Sequence, residues 1–295
     1  MDLRSLRAFV EVVRRGGFSS AASALNSTQP TVSKAVKQIE DELNTPLLNR
    51  VGKGAKLTEA GSIVYSHAVA MLGERDNLRA EIAELKGLKR GTLRIGLPPV
   101  GSSVLFAPLV AKYRARHPEI DIVLQECGSK RLEELVRTEE IELGASLLPF
   151  GQAFDWQVVC SEPMIALLPS DHTAWGQKQI KLSDLADSNF ILFERSFGIN
   201  SVIEAACRKR DFIPREVVRS SQPDFIIALV SSGLGVAILP RLVVGQNHFE
   251  TICPALIDEP DLRWNLAMFW RRGSYLSPPA RAWLQLTKEY SDQRK

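Results

Sequence analysis

Apolar residues recur at helical spacing three times within the first 43 positions, and each recurrence ends in residues that stop a helix. Leu3, Leu6, Val10 and Val13 predict a first helix that runs into Gly16-Gly17. Phe18, Ala21, Ala22 and Leu25 fall at i, i+3, i+4 and i+7 and predict a short second helix. Asn26, Ser27 and Thr28 then interrupt the pattern, and Pro30 falls in the first turn of a third helix, where its missing N–H costs nothing. That helix starts near Thr28 and turns Val32, Val36, Ile39 and Leu43 inward. Gln29, Ser33 and Lys37 form an outward stripe, with Thr31 and Lys34 beside it. Hydroxyl and amide side chains at a helix N-terminus can approach base edges, and lysines farther along can reach phosphates, the division of labour of a helix-turn-helix in the major groove. A solvated helix pair in an all-helical domain would show the same spacing.

Leu47 and Leu48 lead into RVGKGAKLT, where Gly52 and Gly54 bracket Lys53 between short extended pieces. This predicts a two-stranded wing whose Arg50, Lys53 and Lys56 could meet backbone phosphate or a minor groove, with an ordinary solvated hairpin as the alternative. Thr58 is a good N-cap for a proline-free stretch rich in Ala, Glu, Leu and Arg that predicts one long helix over 59–86. Within it Val64, Ala68, Met71, Arg75, Leu78, Ile82 and Leu85 recur at alternating steps of four and three, the seam of a coiled coil. The seam predicts a homodimer through this helix, although Arg75 interrupts it; packing on the chain's own C-terminal domain is the alternative.

After a short basic hinge at 87–91, GLKRG, the pattern changes to strands and helices in alternation. Strands are predicted at 92–97, 121–126 and 143–148, separated by helices at 104–116 and 131–137, a βαβαβ run that implies a parallel sheet. A second set follows, with strands at 164–169, 190–195, 216–221 and 235–240 and helices near 200–210 and 224–232. The chain returns through a strand at 266–270 and a last helix at 279–290.

Ala21, Ala22, Leu25, Ser27, Thr28, Gln29, Pro30, Thr31, Val32, Ser33, Ile39, Glu40 and Leu43, continued by Leu47, Leu48, Arg50, Leu57, Thr58, Ala60 and Gly61, resemble the DNA-binding signature of LysR-type transcriptional regulators. The resemblance covers about the first fifth of the chain at residue level and continues through length and organisation. It implies an α+β/α/β architecture: an N-terminal winged helix-turn-helix (1–58), a linker and dimerisation helix (59–86), a hinge (87–91) and a two-lobed α/β effector-binding domain of periplasmic-binding-protein type (92–295). Lobe I would comprise about 92–161 and 268–295, and lobe II about 162–267. The expected DNA-binding residues are Ser27, Thr28, Gln29, Pro30, Thr31, Ser33, Lys34, Lys37, Arg50 and Lys53. The partners implied are double-stranded promoter or operator DNA, a small-molecule effector and further copies of the chain, as a homodimer and by family habit a homotetramer.

Ligands of open α/β sheets lie beyond the carboxyl ends of the strands, which selects candidates on both halves. After the first strand, PPVGSS supplies Ser102 and Ser103 beside a helix start suited to a carboxylate or other anion, and Ser129 follows the second. From the other half come Arg195, Phe197 and Asn200 after one strand and Gln222 after the next. Each serine could equally be a plain N-cap, Arg195 a surface ion-pair partner and Phe197 a core residue. LysR relatives bind effectors at strand ends matching Ser102, Ser129 and the 196–200 loop; Pro98-Pro99 departs from the usual family run there.

Composition narrows the alternatives. Residues 1–58 hold nine Lys or Arg against five Asp or Glu, which accounts for the net charge of +3 and leaves the remainder near neutral. The four cysteines and four histidines are widely scattered, so neither a disulfide framework, a metal site nor another cofactor is expected. Cys207 lies in a basic stretch, CRKR, that could lower a thiol pKa, but without an evident resolving cysteine it reads as structural. No G-x-S-x-G, phosphate-binding glycine loop or Cys/His pair supports an enzyme. The opening MDLRSLRAFVEVVRR lacks export-signal organisation and no apolar run is long enough to cross a bilayer, which argues against an exported solute-binding module and predicts a cytoplasmic location without membrane contact.

Overall fold

The computed structural model describes residues 1–51, 54–85, 91–245 and 250–293. The chain divides into two compact units, the first built on Met1–Leu88 and the second on Lys89–Val136 with Ile141–Lys295.

In the first unit, α1 (Leu3–Arg14) is capped by Asp2, whose carboxylate accepts the Ser5 N–H at 2.7 Å. The second helix, α2 (Phe18–Ala24), ends where Asn26 takes a positive φ of 49°, and α3 (Gln29–Leu43) begins at its Thr28 N-cap with proline in its first turn. Leu6, Phe9 and Val12 of α1 pack with Ala21 and Ala22 of α2 and with Val32, Val36 and Ile39 of α3. Leu43, expected on the inner face, is 41% exposed, because α3 stops there at a left-handed Asn44 and the chain turns away. The antiparallel pair β1 (Leu48–Val51) and β2 (Gly54–Leu57) forms the wing. Helix α4 (Glu59–Leu85) then runs for 27 residues, roughly 40 Å at the α-helical rise.

The predicted seam of α4 is divided in use. Ala68 is 1% exposed and Val64 is half-buried, both packed in the core of the first unit, with Tyr65 edge-on to Phe9 at 6.4 Å. This part of the seam, expected to face a second copy or the C-terminal domain, is instead covered by α1. Beyond that contact Met71, Leu78 and Ile82 stand 45%, 58% and 45% exposed. Arg75, the charged interruption, donates to Asp76 at 2.7 Å.

The second unit opens with β3 (Gly91–Leu97), a single π-helical turn at Ser102–Phe106, and α5 (Ala107–Arg116), so the helix expected from Val104 becomes regular only after that turn. Then come β4 (Ile120–Glu126), α6 (Ser129–Arg137), β5 (Leu143–Leu147) and a long β6 (Phe154–Pro169), which begins well before the strand expected from Met164. The short β7 (Gln179–Ile180) precedes β8 (Asn189–Phe193), α7 (Gly198–Arg208), β9 (Arg215–Ser220), α8 (Pro223–Ser231), β10 (Ala237–Pro240) and α9 (Arg241–Val244). The chain closes with β11 (Ile252–Ile257), β12 (Arg263–Arg271) and α10 (Pro278–Asp292).

The strand order is β4-β3-β5-β12-β6-β11-β7, with β10 also on β6 and with β8 and β9 as a separate parallel pair. The sheet is mixed rather than wholly parallel: β3, β4 and β5 run parallel, while β12 runs antiparallel to both β5 and β6. Strand β6 serves both halves, because its residues from Phe154 to Pro163 pair with β12 and those from Met164 to Pro169 pair with β10 and β11. Trp264 on β12 is 1% exposed and packs under Gly101, where φ is +86° and an added Cβ would lie 2.6 Å from the indole. The last helix returns to the first half: Ser277 donates its N–H and hydroxyl to Glu142, each at 3.0 Å, and Tyr113 donates to the Pro279 carbonyl at 2.8 Å.

Candidate DNA interface and ligand cavity

The N-terminus of α3 is fixed by its own first turn. The Thr28 hydroxyl oxygen accepts the Thr31 N–H at 3.4 Å and shares a hydrogen with the Thr31 hydroxyl at 2.8 Å. Ser27, Thr28, Gln29, Pro30, Thr31, Lys34 and Lys37 are exposed, and Ser33 is half-buried. One helical face thus carries short polar groups first and cations later. The backbone of Arg50 lies in β1, while its side chain and all of Lys53 lie outside the described residues.

Two side chains set the wing against α3. Glu40 reaches from α3 to accept the backbone N–H groups of Leu47 at 2.7 Å and Leu48 at 3.2 Å. Thr58 donates its hydroxyl to the Pro46 carbonyl at 2.8 Å and accepts the Gly61 N–H at 2.9 Å, capping α4 while holding the chain that leads into the wing. Gly61 lies so close to the Leu47 carbonyl oxygen that an added Cβ would stand 2.0 Å from it.

In the second unit, a cavity of about 290 Å³ opens where four segments meet. Ser129, Lys130 and Glu133 come from α6; Ser146 to Pro149 from the end of β5 and the loop after it; Arg195 to Phe197 from the loop after β8; and Gly198, Ser201 and Val202 from α7. The Gly198 N–H donates to the Ser129 hydroxyl oxygen at 3.2 Å. At Gly128 an added Cβ would meet the Ser196 hydroxyl at 2.5 Å and its carbonyl oxygen at 2.9 Å. Phe197 is 7% exposed and stacks on Phe193 with ring centroids 5.7 Å apart. Arg195 is exposed at the rim and helps hold the Glu216 carboxyl below the usual range, after the larger effect of the hydrogen bond from Arg219.

Of the residues expected at a ligand site, the cavity brings together Ser129, Arg195 and Phe197. The other four lie outside its lining. Ser102 is buried and donates its hydroxyl to the Pro98 carbonyl, and Ser103 is exposed on the π-helical turn. Asn200 is buried and spends its amide on backbone: Oδ1 accepts the Phe193 N–H at 3.1 Å, while Nδ2 donates to the carbonyls of Phe193 and Glu194 at 3.0 and 2.8 Å. Gln222 is exposed at the N-cap of α8. Lys130, Ser146 and Ser201 also line the cavity without having been singled out from the sequence, while Ser196 belongs to the expected 196–200 loop. The strand-end rule, applied to β5 as it was to β3 and β4, would have found Ser146.

Cys207 is fully buried, and burial, followed by the charge of Glu204, pushes its thiol up to about 12 despite the neighbouring basic residues. Among the described residues no group of histidines, cysteines and carboxylates could hold a metal ion, and no helix is long and apolar enough to cross a membrane.

Comparison with known proteins covers both units. Residues 3–62 match the bacterial regulatory helix-turn-helix protein, lysR family, and residues 86–292 match the LysR substrate binding domain. The chain is 34% identical to the uncharacterized HTH-type transcriptional regulator YwbI of Bacillus subtilis, over 98% of this chain and 97% of that one. It is 28% identical to the transcriptional dual regulator GltC of the same organism, over 95% and 94%. A full-length OxyR variant from Pseudomonas aeruginosa aligns with a TM-score of 0.79 at 25% identity, covering 98% of this chain and 95% of that one. Full-length CbnR, solved with its target DNA, shares the fold with a TM-score of 0.68 at 20% identity over both whole chains. The helix-turn-helix match and the substrate-binding-domain match thus fall on the two units in turn, relatives align over nearly the whole chain, and this chain belongs to the LysR family of DNA-binding transcriptional regulators.

Proposed function

We propose that this regulator reads double-stranded operator DNA with the exposed face of α3 from Gln29 to Lys37, aided by Ser27, Thr28 and the wing residues Arg50 and Lys53. A small organic acid or other anion bound at Ser129, Arg195 and Phe197 controls that reading. The observation supporting the ligand is convergence: a serine hydroxyl, the cations of Arg195 and Lys130 and the positive N-terminal end of α7 share one cavity of about 290 Å³. Ser102 and Asn200 hold their own loops, through bonds to Pro98, Phe193 and Glu194, rather than the ligand. Met71, Leu78 and Ile82 on the free part of α4 support pairing with a second copy, and two such pairs make a tetramer. Pairing places two α3 helices at a fixed separation, so ligand-driven movement in the second unit alters how two half-sites are engaged. The protein works in the cytoplasm, on promoter DNA.

A thermal-shift screen of small carboxylates against their neutral amides tests the ligand class. A carboxylate that binds the folded state raises the melting temperature, and Arg195→Gln removes that rise. Equal responses to acids and amides would overturn the anion reading. Binding of duplexes carrying single base changes tests α3: Gln29→Ala relaxes discrimination at one position by about 1–3 kcal/mol.

A further inference from the structure

A groove of about 430 Å³ lies in the first unit between α1, the turn at 24–27 and α3. Its floor is apolar, formed by Ala8, Leu25, Val32 and Ala35. Arg4 and Arg7, one turn apart on α1, form one wall, while Ser27 and Thr31 stand on the other. No carboxylate lines it.

Both arginines are exposed, and among the described residues neither has an ion-pair partner. Arg15, farther along the same helix, is held by Glu11 at 3.0 Å. The nearby carboxylate of Asp2 is engaged in capping α1. Two uncompensated guanidinium groups therefore flank a groove whose other wall belongs to the N-terminal end of the recognition helix. Their stems can lie along the apolar floor while the heads stay in water, which keeps the charges extended and available.

We propose that Arg4 and Arg7 bind the phosphate backbone of DNA seated on α3, forming a sequence-independent clamp from α1. This rests on the reading of α3 as the DNA-reading helix. A duplex engaged by that helix brings one strand's phosphates along the rim carrying Ser27 and Thr31, across from the two guanidiniums. Planar guanidinium groups match phosphate oxygens bidentately, and contacts of this kind position a protein without reading bases.

The test is a salt series on the full-length protein, with a duplex from upstream of its own gene and a random-sequence duplex of equal length. The variants are R4Q/R7Q, R4K/R7K and, as a control, R15Q. The slope of log affinity against log salt should fall by about 0.9 for each phosphate that R4Q/R7Q no longer neutralises. Both duplexes should weaken by the same factor, so discrimination is preserved. R4K/R7K should recover most of the slope, R15Q should match the parent protein, and all variants should melt at the parent temperature. An unchanged slope in R4Q/R7Q, with parent binding intact, overturns the arginine assignment alone. Absence of duplex binding by the parent protein at low salt overturns the reading of α3 as well.

Discussion

The Gly198 N–H donates to the Ser129 hydroxyl at 3.2 Å, so the first residue of α7 is tied to the first residue of α6 beside the cavity that both line. Beside this link Gly128 allows the Ser196 backbone to approach closely. Ser129→Ala removes the link and, on the proposed function, a polar contact to the ligand. The ligand-induced rise in melting temperature should shrink while operator affinity without ligand stays at the parent value. Gly128→Ala drives a Cβ into the Ser196 carbonyl and should also weaken the ligand response, as calorimetric titration would show.

Gly61 is pressed against the Leu47 carbonyl at a distance no side chain tolerates. Gly61→Ala must displace either the start of α4 or the entry to the wing, at a cost of about 1–3 kcal/mol or more. Thr58→Ala, which loses only the cap and the bond to Pro46, should cost about 1 kcal/mol. Urea unfolding of the two variants should give that order.

The exposed row Met71, Leu78 and Ile82 predicts the outcome of an assembly experiment. Replacing all three with Gln removes apolar surface without disturbing the packing of Ala68 in the first unit's core. Sedimentation should show a smaller assembly with unchanged helix content. Affinity for a single half-site should persist, and the added affinity for paired half-sites should disappear.

Burial raises the Glu142 carboxyl above its usual range against the opposing hydrogen bonds from Ser277. The folded state therefore holds this proton more tightly than the unfolded chain. The resulting contribution to stability is full below the ordinary carboxylate pKa of 4.5 and is lost as pH rises through the raised value. Glu142→Gln lacks this dependence. The melting-temperature difference, parent minus Glu142→Gln, should decline as pH increases across that window, and a flat difference would refute it.

Most of the first unit was legible because its helices are short, local and strongly periodic. Val32, Val36 and Ile39 announce a buried face, and Thr28 with Pro30 marks the start of that helix. The β/α alternation was legible too, yet the first ten residues of β6 were not. DWQVVCSEP mixes polar and apolar positions because Gln157 reaches the Leu284 carbonyl of α10 while Trp156 and Val158 stay exposed. Such a strand is specified by distant partners rather than by its own pattern. The same limit applies to the cavity. Ser129 and Phe197 follow from a rule about strand ends, whereas Asn200 obeys that rule and is consumed by its own loop. Which polar groups remain available depends on backbone turns that residue types alone do not reveal.

Two strands, β6 and β12, cross the boundary between the halves of the second unit, and β6 exchanges partners at Pro163 and Met164. Hydrogen-bonded strands are twisted relative to one another, and two-stranded ribbons tolerate the largest twist. The two halves are thus joined by a torsional strap, so the ligand proposed for the cavity at Ser129 and Gly198 would act on them as rotation rather than separation.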